Sequence, residues 1–436
     1  MISDELLEKV TERVIQRLQK LNTDILKQIG SNLDEIGKLK PSKAQQLAQM
    51  LKYGGDYDKI VKELSKVSKL NTKEINEIFK EVSKNDYRFA KQFYDYRGIG
   101  YIPYDENVAL KNQVQAIANI TAKRCAEMMT PRALGFGLIN KKTGDIEFKG
   151  LKQAYYDLLD EAVLSVSQGK ESFDQAMTRQ IKQMGSGGLK VIYDSTYINK
   201  EGKEVHNSRR LDSAIRMNLK DSLRELHNET QDIFGKEFGA NMIEVSHHSN
   251  SAPDHIDTID GKQFARIDVI KEQIKNGIEK EIKLKDIQGN RVKVKGKWYD
   301  DFDTINNNLD RQVSTLNCYH YIFNGILGVT EPEYTKQELQ KDKEKNLNGC
   351  EIDGKHYTLY EASQLQRKLE TAIREQKDIQ TLGKALNNIE LISSSQSKIT
   401  SLTKKYKEVC DVSGLPYKAK RLSVSGYKRA NIKKLK

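Results

Sequence analysis

Apolar residues recur every three or four positions along much of the chain, a pattern typical of amphipathic α-helices. The first stripe predicts a long helix that ends at Gly30. Its members are Leu7, Val10, Val14, Leu18, Leu21, Ile25 and Ile29. Shorter helices are expected behind two capping boxes, Ser42-x-x-Gln45 and Asn71-x-x-Glu74. Such stripes indicate packing of helix against helix rather than a cofactor site.

The middle of the chain predicts further helices and one β-hairpin. Residues 92–112 are rich in Tyr and Gly, which favours a linker or an extended arm that lies on a partner. A helical block begins near Val108 and restarts at the box Ser172-x-x-Gln175. The glycine run at 185–188 is expected to end this helical block. A strand at 189–193 and a turn at 199–202 predict the hairpin, and the helix after the hairpin is expected to end at Gly239.

The pattern then changes to short strands and polar loops. Residues 242–246 alternate like a strand and lead into a histidine-rich loop, which the turn Asp260-Gly261-Lys262 follows. Val292, Val294 and Trp298 mark a strand-rich stretch, and after Pro332 a helical hairpin is expected behind the box Thr358-x-x-Glu361. The prediction is an extended, multi-domain, mainly α protein with a small α/β (α+β) domain.

Five segments are expected. They are an N-terminal helical region (1–95), a Tyr-rich linker with a second helical block and the β-hairpin (96–240), a small His/Cys-containing α/β domain (241–335), a C-terminal helical hairpin (336–415) and a basic tail (416–436).

Composition narrows the class of protein. Of the 436 residues, 37% are hydrophobic and 31% are charged, and the mean hydropathy of −0.69 favours extended, solvated helices. No stretch approaches the ~20 apolar residues of a membrane span, and the acidic first residues argue against a signal peptide. The four cysteines lie far apart without a CxxC pair, so we expect folding in a reducing cytoplasm.

The net charge of +12 is concentrated at one end. Eight cations and no acid lie between residues 418 and 436, which leaves an excess of only four elsewhere. They are Lys418, Lys420, Arg421, Lys428, Arg429, Lys433, Lys434 and Lys436. With Tyr417 and Tyr427 interleaved, this segment is expected to contact nucleic acid; a solvated terminus is the alternative. In isolation it should repel itself and stay disordered.

A second candidate site joins the histidine-rich loop to a Cys-x-His pair about sixty residues later. Imidazole and thiolate are ligands that Zn²⁺ prefers. The predicted ligands are His248, His255, Cys318 and His320, with His247 as a substitute. The alternative is that these groups cap turns and hydrogen-bond to the backbone. Asp254, Asp257 and Asp260 are interpreted as solvated loop acids.

The same residues allow an enzymatic alternative. Asp254-His255 resembles the first half of an HNH nuclease, and Asn308 and Cys318-Tyr319-His320 echo its later elements, although the spacing is too long and no CxxC knuckle is present. The chain contains no P-loop, GxGxxG, GxSxG or HExxH motif. The glycine run at 185–188 needs no phosphate ligand to explain it.

Several motifs, in order, resemble the tailed-phage minor capsid protein 2 family, which is related in arrangement to Mu-type head-morphogenesis proteins. The matching stretches are 169–177, Ala214-Ile215-Arg216, 243–249, Asp254-His255, 261–264, Asn317-Cys318-Tyr319-His320, Gly328-Val329-Thr330, 354–358 and 361–367. The family's Arg-Pro is Ala252-Pro253 here, its Trp is Thr258, and its Cys-Arg-His is Cys318-Tyr319-His320. Loss of the two arginines favours a site that shapes the loop over one that binds phosphate.

The resemblance implies a structural protein of the virion rather than an enzyme. Such a protein would be assembled in the host cytoplasm and lie in several copies at the portal vertex. It would act in head assembly or in genome packaging or ejection. The implied partners are the portal protein, packaged double-stranded DNA and the major capsid protein.

Overall fold

The computed structural model describes residues 3–37, 43–98, 100–139, 146–167, 175, 188–198, 204–315 and 318–430. Helices account for 63% of the structure and the sheets are small and antiparallel, which confirms the mainly α prediction with a small α+β part. The helices are α1 (Asp4–Gly37), α2 (Lys43–Arg97), α3 (Val108–Met128), α4 (Leu151–Ser167), α5 (Leu211–Glu237), α6 (Pro253–Ile256), α7 (Ile267–Lys275), α8 (Phe302–Asn307), α9 (Lys336–Asn348), α10 (Leu359–Ala385), α11 (Ile389–Ser413) and α12 (Ala419–Leu422).

The chain forms two compact units, each assembled from three separate stretches. Unit 1 consists of Met1–Val10, Asn76–Thr121 and Met217–Gln364, and unit 2 of Thr11–Ile75, Ala122–Arg216 and Leu365–Lys436. The five consecutive segments expected from the sequence remain a prediction. Helix α2 ends two residues beyond the first predicted boundary, at residue 95.

Unit 1 contains a three-stranded sheet in the order β10-β5-β6. Its strands are β5 (Met242–Val245), β6 (Gln263–Ala265) and β10 (Ile322–Gly325). Because side chains alternate along a strand, Met242 packs into one apolar cluster with Ala265, while Ile243 and Val245 pack into another with Phe264. Apolar residues therefore cover both faces of the sheet.

Two further antiparallel elements belong to unit 1. A three-stranded sheet has the order β7-β8-β9, with β7 (Ile287–Gln288), β8 (Arg291–Val294) and β9 (Lys297–Asp300). A two-stranded hairpin joins β11 (Cys350–Ile352) to β12 (Lys355–Tyr357). The strands expected at Val292, Val294 and Trp298 are thus present.

Unit 2 contains a four-stranded antiparallel sheet in the order β2-β1-β3-β4. The strands are β1 (Leu134–Ile139), β2 (Ile146–Gly150), β3 (Lys190–Ile198) and β4 (Glu204–Arg210). Strands β3 and β4 pair directly with each other, so the hairpin expected from 189 onward is confirmed.

The first helix continues past the glycine that was expected to end it. Gly30 lies within α1, and a Cβ at this position would come within 2.5 Å of the Cβ of Ala385 on α10. The glycine therefore permits close approach of two helices rather than a helix end.

The capping box expected at Asn71 is also wrong, because α2 runs through it without interruption. The Asn71 side chain instead accepts a hydrogen bond from the Arg17 guanidinium at 2.6 Å. Inside a helix the backbone N–H groups are already hydrogen-bonded, so the Asn71 side chain has no cap to form. It makes a tertiary contact instead. The box at Thr358 is confirmed, with Glu361 N donating to Thr358 Oγ1 at 3.1 Å.

The Tyr-rich segment is not an exposed arm over its described part. Helix α2 extends to Arg97, and Tyr94 and Tyr104 are buried in unit 1. The ring of Tyr101 stacks on that of Tyr87, with centroids 5.3 Å apart. These tyrosine rings therefore pack within their own unit, and not on the separate partner that the sequence pattern had favoured.

Several expected features lie outside the described residues. They are the box residues Ser42 and Ser172, the turn at 199–202, residues 185–187 of the glycine run, and Asn317. Among the helices that the structure describes, none combines the length and apolar character needed to cross a membrane.

Candidate metal centre

The histidine-rich loop and the Cys-x-His pair meet because they flank neighbouring strands. Strand β5 ends where the loop begins, and Cys318 to His320 lie just before β10, which pairs with β5 in antiparallel register. Ser246 N donates to Tyr321 O, and Tyr321 N donates to Ser246 Oγ, both at 2.9 Å. Antiparallel pairing therefore places residues more than sixty positions apart at the same edge of the sheet.

Three of the four predicted ligands form one buried group. His255 on α6, Cys318 and His320 are each less than 4% exposed. Their ligand atoms converge: Nδ1 of His255 lies 3.3 Å from Nδ1 of His320. Sγ of Cys318 lies 3.6 Å from Nδ1 of His255 and 3.3 Å from Nδ1 of His320.

These separations match the edges of a tetrahedral zinc site. With Zn–N bonds of about 2.0–2.1 Å and Zn–S bonds of about 2.3 Å, tetrahedral angles place two nitrogens about 3.3 Å apart and nitrogen about 3.5 Å from sulfur. All three observed distances lie within about 0.2 Å of those values. The group can thus supply three of four tetrahedral ligands without rearrangement.

The outer nitrogens of both imidazoles are held by acceptors. Nε2 of His320 lies 2.8 Å from Oδ1 of Asp260, and Nε2 of His255 lies 2.6 Å from the carbonyl oxygen of Arg311. Each Nε2 therefore donates, which leaves Nδ1 as the ring nitrogen that faces the centre, where a metal ion would take the place of any proton. Carboxylate and backbone carbonyl partners of this kind commonly orient metal-binding histidines.

Asp260 organises the loop, although its position in the sequence suggested a solvated acid. Its buried carboxylate also accepts hydrogen bonds from His247 Nδ1 (2.6 Å), Ser251 Oγ (2.7 Å) and His248 N (2.9 Å). Burial alone would raise the pKa of Asp260, but hydrogen bonds from His247, His320 and Ser251 outweigh it and lower the pKa. The available signal was the position of Asp260 in the turn immediately before β6.

The environment favours the thiolate form of Cys318. Burial alone would raise the pKa of this thiol, but hydrogen bonds with His255 and His320 outweigh it and lower the pKa to about 5. The pKa of His320 is raised to about 9, because hydrogen bonds to Asp260 and Cys318 outweigh the effect of burial. A thiolate is the form of cysteine that binds metals.

The fourth predicted ligand, His248, lies outside the convergent group. Its Nε2 is 2.5 Å from the carbonyl oxygen of Tyr319, and its ring centroid is 4.9 Å from that of His320. The substitute ligand, His247, bridges two carboxylates instead, with Nε2 2.9 Å from Asp342 on α9. Among the described residues, the structure thus assigns the loop histidines to different roles.

The His247 bridge predicts a pH-dependent contribution to stability. Burial alone would lower the pKa of His247, but hydrogen bonds to Asp260 and Asp342 raise it. A raised pKa means that the ion pair contributes fully below the unfolded value of about 6.5 and is lost as pH rises through the folded-state value. Because Asp342 is partly exposed, Asp342→Asn should cost at most about 1 kcal/mol near pH 6, and less near pH 9.

Urea unfolding at both pH values measures this difference. The control is Glu344→Gln, which removes one exposed carboxylate from the same helix. An Asp342→Asn effect that is equal at the two pH values, or that grows with pH, would contradict the charged bridge.

The geometry gives less support to an enzymatic role. Asp254 is held by Arg311, at 2.7 Å and 3.2 Å, and both ring nitrogens of the buried His255 are already engaged. A general base of HNH type needs a nitrogen that can reach water. Cys318, His320 and Asp260 are also hydrogen-bonded in series, as in a nucleophilic triad. A second imidazole, that of His255, converges on the same buried sulfur, however, and a metal site accounts for this arrangement better than a nucleophile does.

The described part of the basic tail is folded onto unit 2. Ser425 N donates to Gln19 Oε1 at 3.1 Å, and Tyr427 OH donates to Gln380 Oε1 at 2.8 Å. Lys420 pairs with Glu12 at 2.7 Å, so an acid distant in sequence compensates one of the eight cations. Of the predicted DNA contacts, Lys418, Lys420, Arg421, Lys428 and Arg429 are described, while Lys433, Lys434 and Lys436 lie outside the described residues.

Comparisons with known proteins agree with the motif resemblance. A family model described as Phage minor capsid protein 2 matches residues 2–411. No curated protein and no solved structure matches the chain significantly.

Proposed function

The chain belongs to the phage minor capsid protein 2 family, and from that premise we propose that it is held at the portal vertex of a tailed-phage head. The family match confirms the resemblance and establishes a structural role in a bacteriophage capsid. We propose the portal protein as its main partner and the major capsid protein as a second one. Several copies would surround the vertex after assembly in the host cytoplasm and would act in head assembly or in genome packaging or ejection.

We propose that the site at the edge of β5 and β10 holds a zinc ion with a structural role. The observation that carries this proposal is the convergence of His255 Nδ1, His320 Nδ1 and Cys318 Sγ at tetrahedral ligand spacing. A zinc ion would cross-link the histidine-rich loop to the start of β10. Because the loop has only one short helix, α6, such a link would contribute directly to folding.

A structural role fits the surroundings better than a catalytic one. The three ligand residues are buried, and the hydrogen bonds of Asp260 and Arg311 hold the two imidazoles in place. Catalytic zinc needs an open position that substrate can reach. The proposal accordingly includes no enzymatic activity. Mg²⁺-dependent plasmid nicking that disappears in His255→Ala would overturn it in favour of an HNH-type nuclease.

We also propose that the basic tail contacts packaged DNA. Arg429 and Tyr417 line a cavity of about 560 Å³ in unit 2 that is also lined by Lys377, Lys404 and Lys407. None of the described residues that line this cavity is acidic. Cations without compensating carboxylates attract phosphate groups, and an exposed tyrosine ring can stack on a base.

The virion role predicts that the chain is present in mature particles. Mass spectrometry of purified particles should detect it at a low copy number relative to the major capsid protein, and cryo-EM with symmetry released at the vertex should place it beside the portal. Its presence only in assembly intermediates would instead indicate a scaffold role. Density distributed over the whole shell would contradict the portal position.

A further inference from the structure

The sheet formed by β7, β8 and β9 has one covered face and one solvent face. Val292 and Tyr299, which pair across β8 and β9, are buried in an apolar cluster of unit 1. Alternation along the strands directs their neighbours to the opposite face. Lys293 and Trp298 form the next pair on that face, and both are exposed.

The solvent face is basic and carries the only tryptophan of the sequence. The guanidinium of Arg291 and the ammonium group of Lys293 each lie 5.8 Å from the centre of the Trp298 ring. Lys295 and Lys297 at the hairpin turn are also exposed, but they lie off this face. Lys295 Nζ donates to Gly328 O at 2.6 Å, and the Lys297 ammonium group lies 4.5 Å from the centre of the Tyr299 ring. The acid on this face is Asp300, which lies opposite Arg291.

We propose that the β8–β9 hairpin is a second DNA-binding surface, which contacts the phosphodiester backbone through its cations and a sugar or base through Trp298. This inference rests on the proposed DNA contact but not on the tail. The ten residues of the hairpin carry four cations and one acid, so its net charge complements phosphate. A two-stranded ribbon also fits the width of the major groove of B-DNA.

The aromatic residue distinguishes this surface from an ordinary solvated basic strand. Trp298 is 37% exposed, so part of a large apolar ring remains in contact with water beside the two cations. When DNA binds, the two cations over the Trp298 ring can leave their cation–π contacts and pair with phosphate groups instead. The face of the ring would then be open for a sugar or base. Backbone contacts of this kind carry no sequence information, so the surface should bind DNA without sequence preference.

The single tryptophan gives a direct readout in the full-length protein. Titration with a mixed-sequence duplex, with excitation selective for tryptophan, should quench or shift the emission of Trp298. A single strand of equal length shows whether an unpaired base stacks better on the ring, and either nucleic acid supports a phosphodiester surface. Equal quenching by poly-glutamate at matched charge would overturn the proposal and indicate an acidic protein partner.

Charge-neutralising variants test the contacts independently of fluorescence. Each phosphate contact contributes about −0.9 to the slope of log K against log salt, so Arg291→Gln with Lys293→Gln should flatten the slope by up to about 2. The control is Lys336→Gln with Lys341→Gln, two exposed cations on α9 of the same unit. Anisotropy of labelled duplex between about 50 and 200 mM salt measures the slopes.

The failures of the two DNA proposals can be told apart. If the wild type does not bind duplex, the proposed DNA contact as a whole is wrong. If it binds with unchanged Trp298 emission, and the slope falls only in Lys428→Gln with Arg429→Gln, the tail contact stands and the hairpin inference is wrong.

Discussion

Cys318→Ser is expected to remove zinc from the protein and to lower the melting temperature of unit 1. The wild type should contain about one zinc ion per chain, because the three convergent residues supply three of the four ligands of one tetrahedral site. A serine oxygen is a much weaker zinc ligand than a thiolate, so the variant should contain almost none. At free zinc 100-fold above its dissociation constant, the bound ion contributes about 2.7 kcal/mol, equivalent to roughly 5–10 °C.

Elemental analysis and calorimetry, each with and without chelator, provide the measurement. Chelator should lower the wild type to the melting temperature of Cys318→Ser and should leave the variant unchanged. Cys350→Ser is the matched control, because Cys350 lies in β11 of the same unit and outside the convergent group. Zinc-free wild type with a melting temperature insensitive to chelator would show that hydrogen bonds alone hold the loop.

Asp260→Ala is expected to destabilise unit 1 by about 3–5 kcal/mol, because it removes one partner of a buried, charged network. The lost carboxylate would leave the Nδ1–H of His247, the Nε2–H of His320 and the hydroxyl of Ser251 without their acceptor. Zinc affinity should also fall, by about 10–100-fold, because Asp260 orients a ligand.

The matched control for this change is Asp257→Ala, which removes an exposed carboxylate three positions earlier in the same loop. It should leave both stability and zinc affinity nearly unchanged. Where Asp260→Ala fails to fold, Asp260→Asn keeps one acceptor oxygen and should show a smaller loss in urea unfolding with the same loss of zinc affinity. Equal behaviour of the variants at 257 and 260 would refute the organising role of Asp260.

The candidate site could be found from residue types but not assembled from them. Three histidines in one loop and a Cys-x-His pair predicted a metal group, and the structure brings His255, Cys318 and His320 together. Spacing could not separate His248 from these ligands, because its neighbours decide whether it points toward the group or toward the Tyr319 carbonyl. Asp260 was missed because a carboxylate in a turn is solvated by default, and only the loops folded over it bury it.

The sequence by itself determined the mainly helical fold, the hairpin of β3 and β4, the strands at 242 and 292, and the family. Those features depend on local periodicity, on turn residues and on ordered motifs, all of which are written in consecutive residues. Only the tertiary structure decided that Gly30 serves a close helix contact, that α2 continues through Asn71, and that Lys420 of the tail pairs with Glu12. Each of these outcomes depends on a partner distant in sequence, whose packing and charge outweigh local preferences of about 1 kcal/mol.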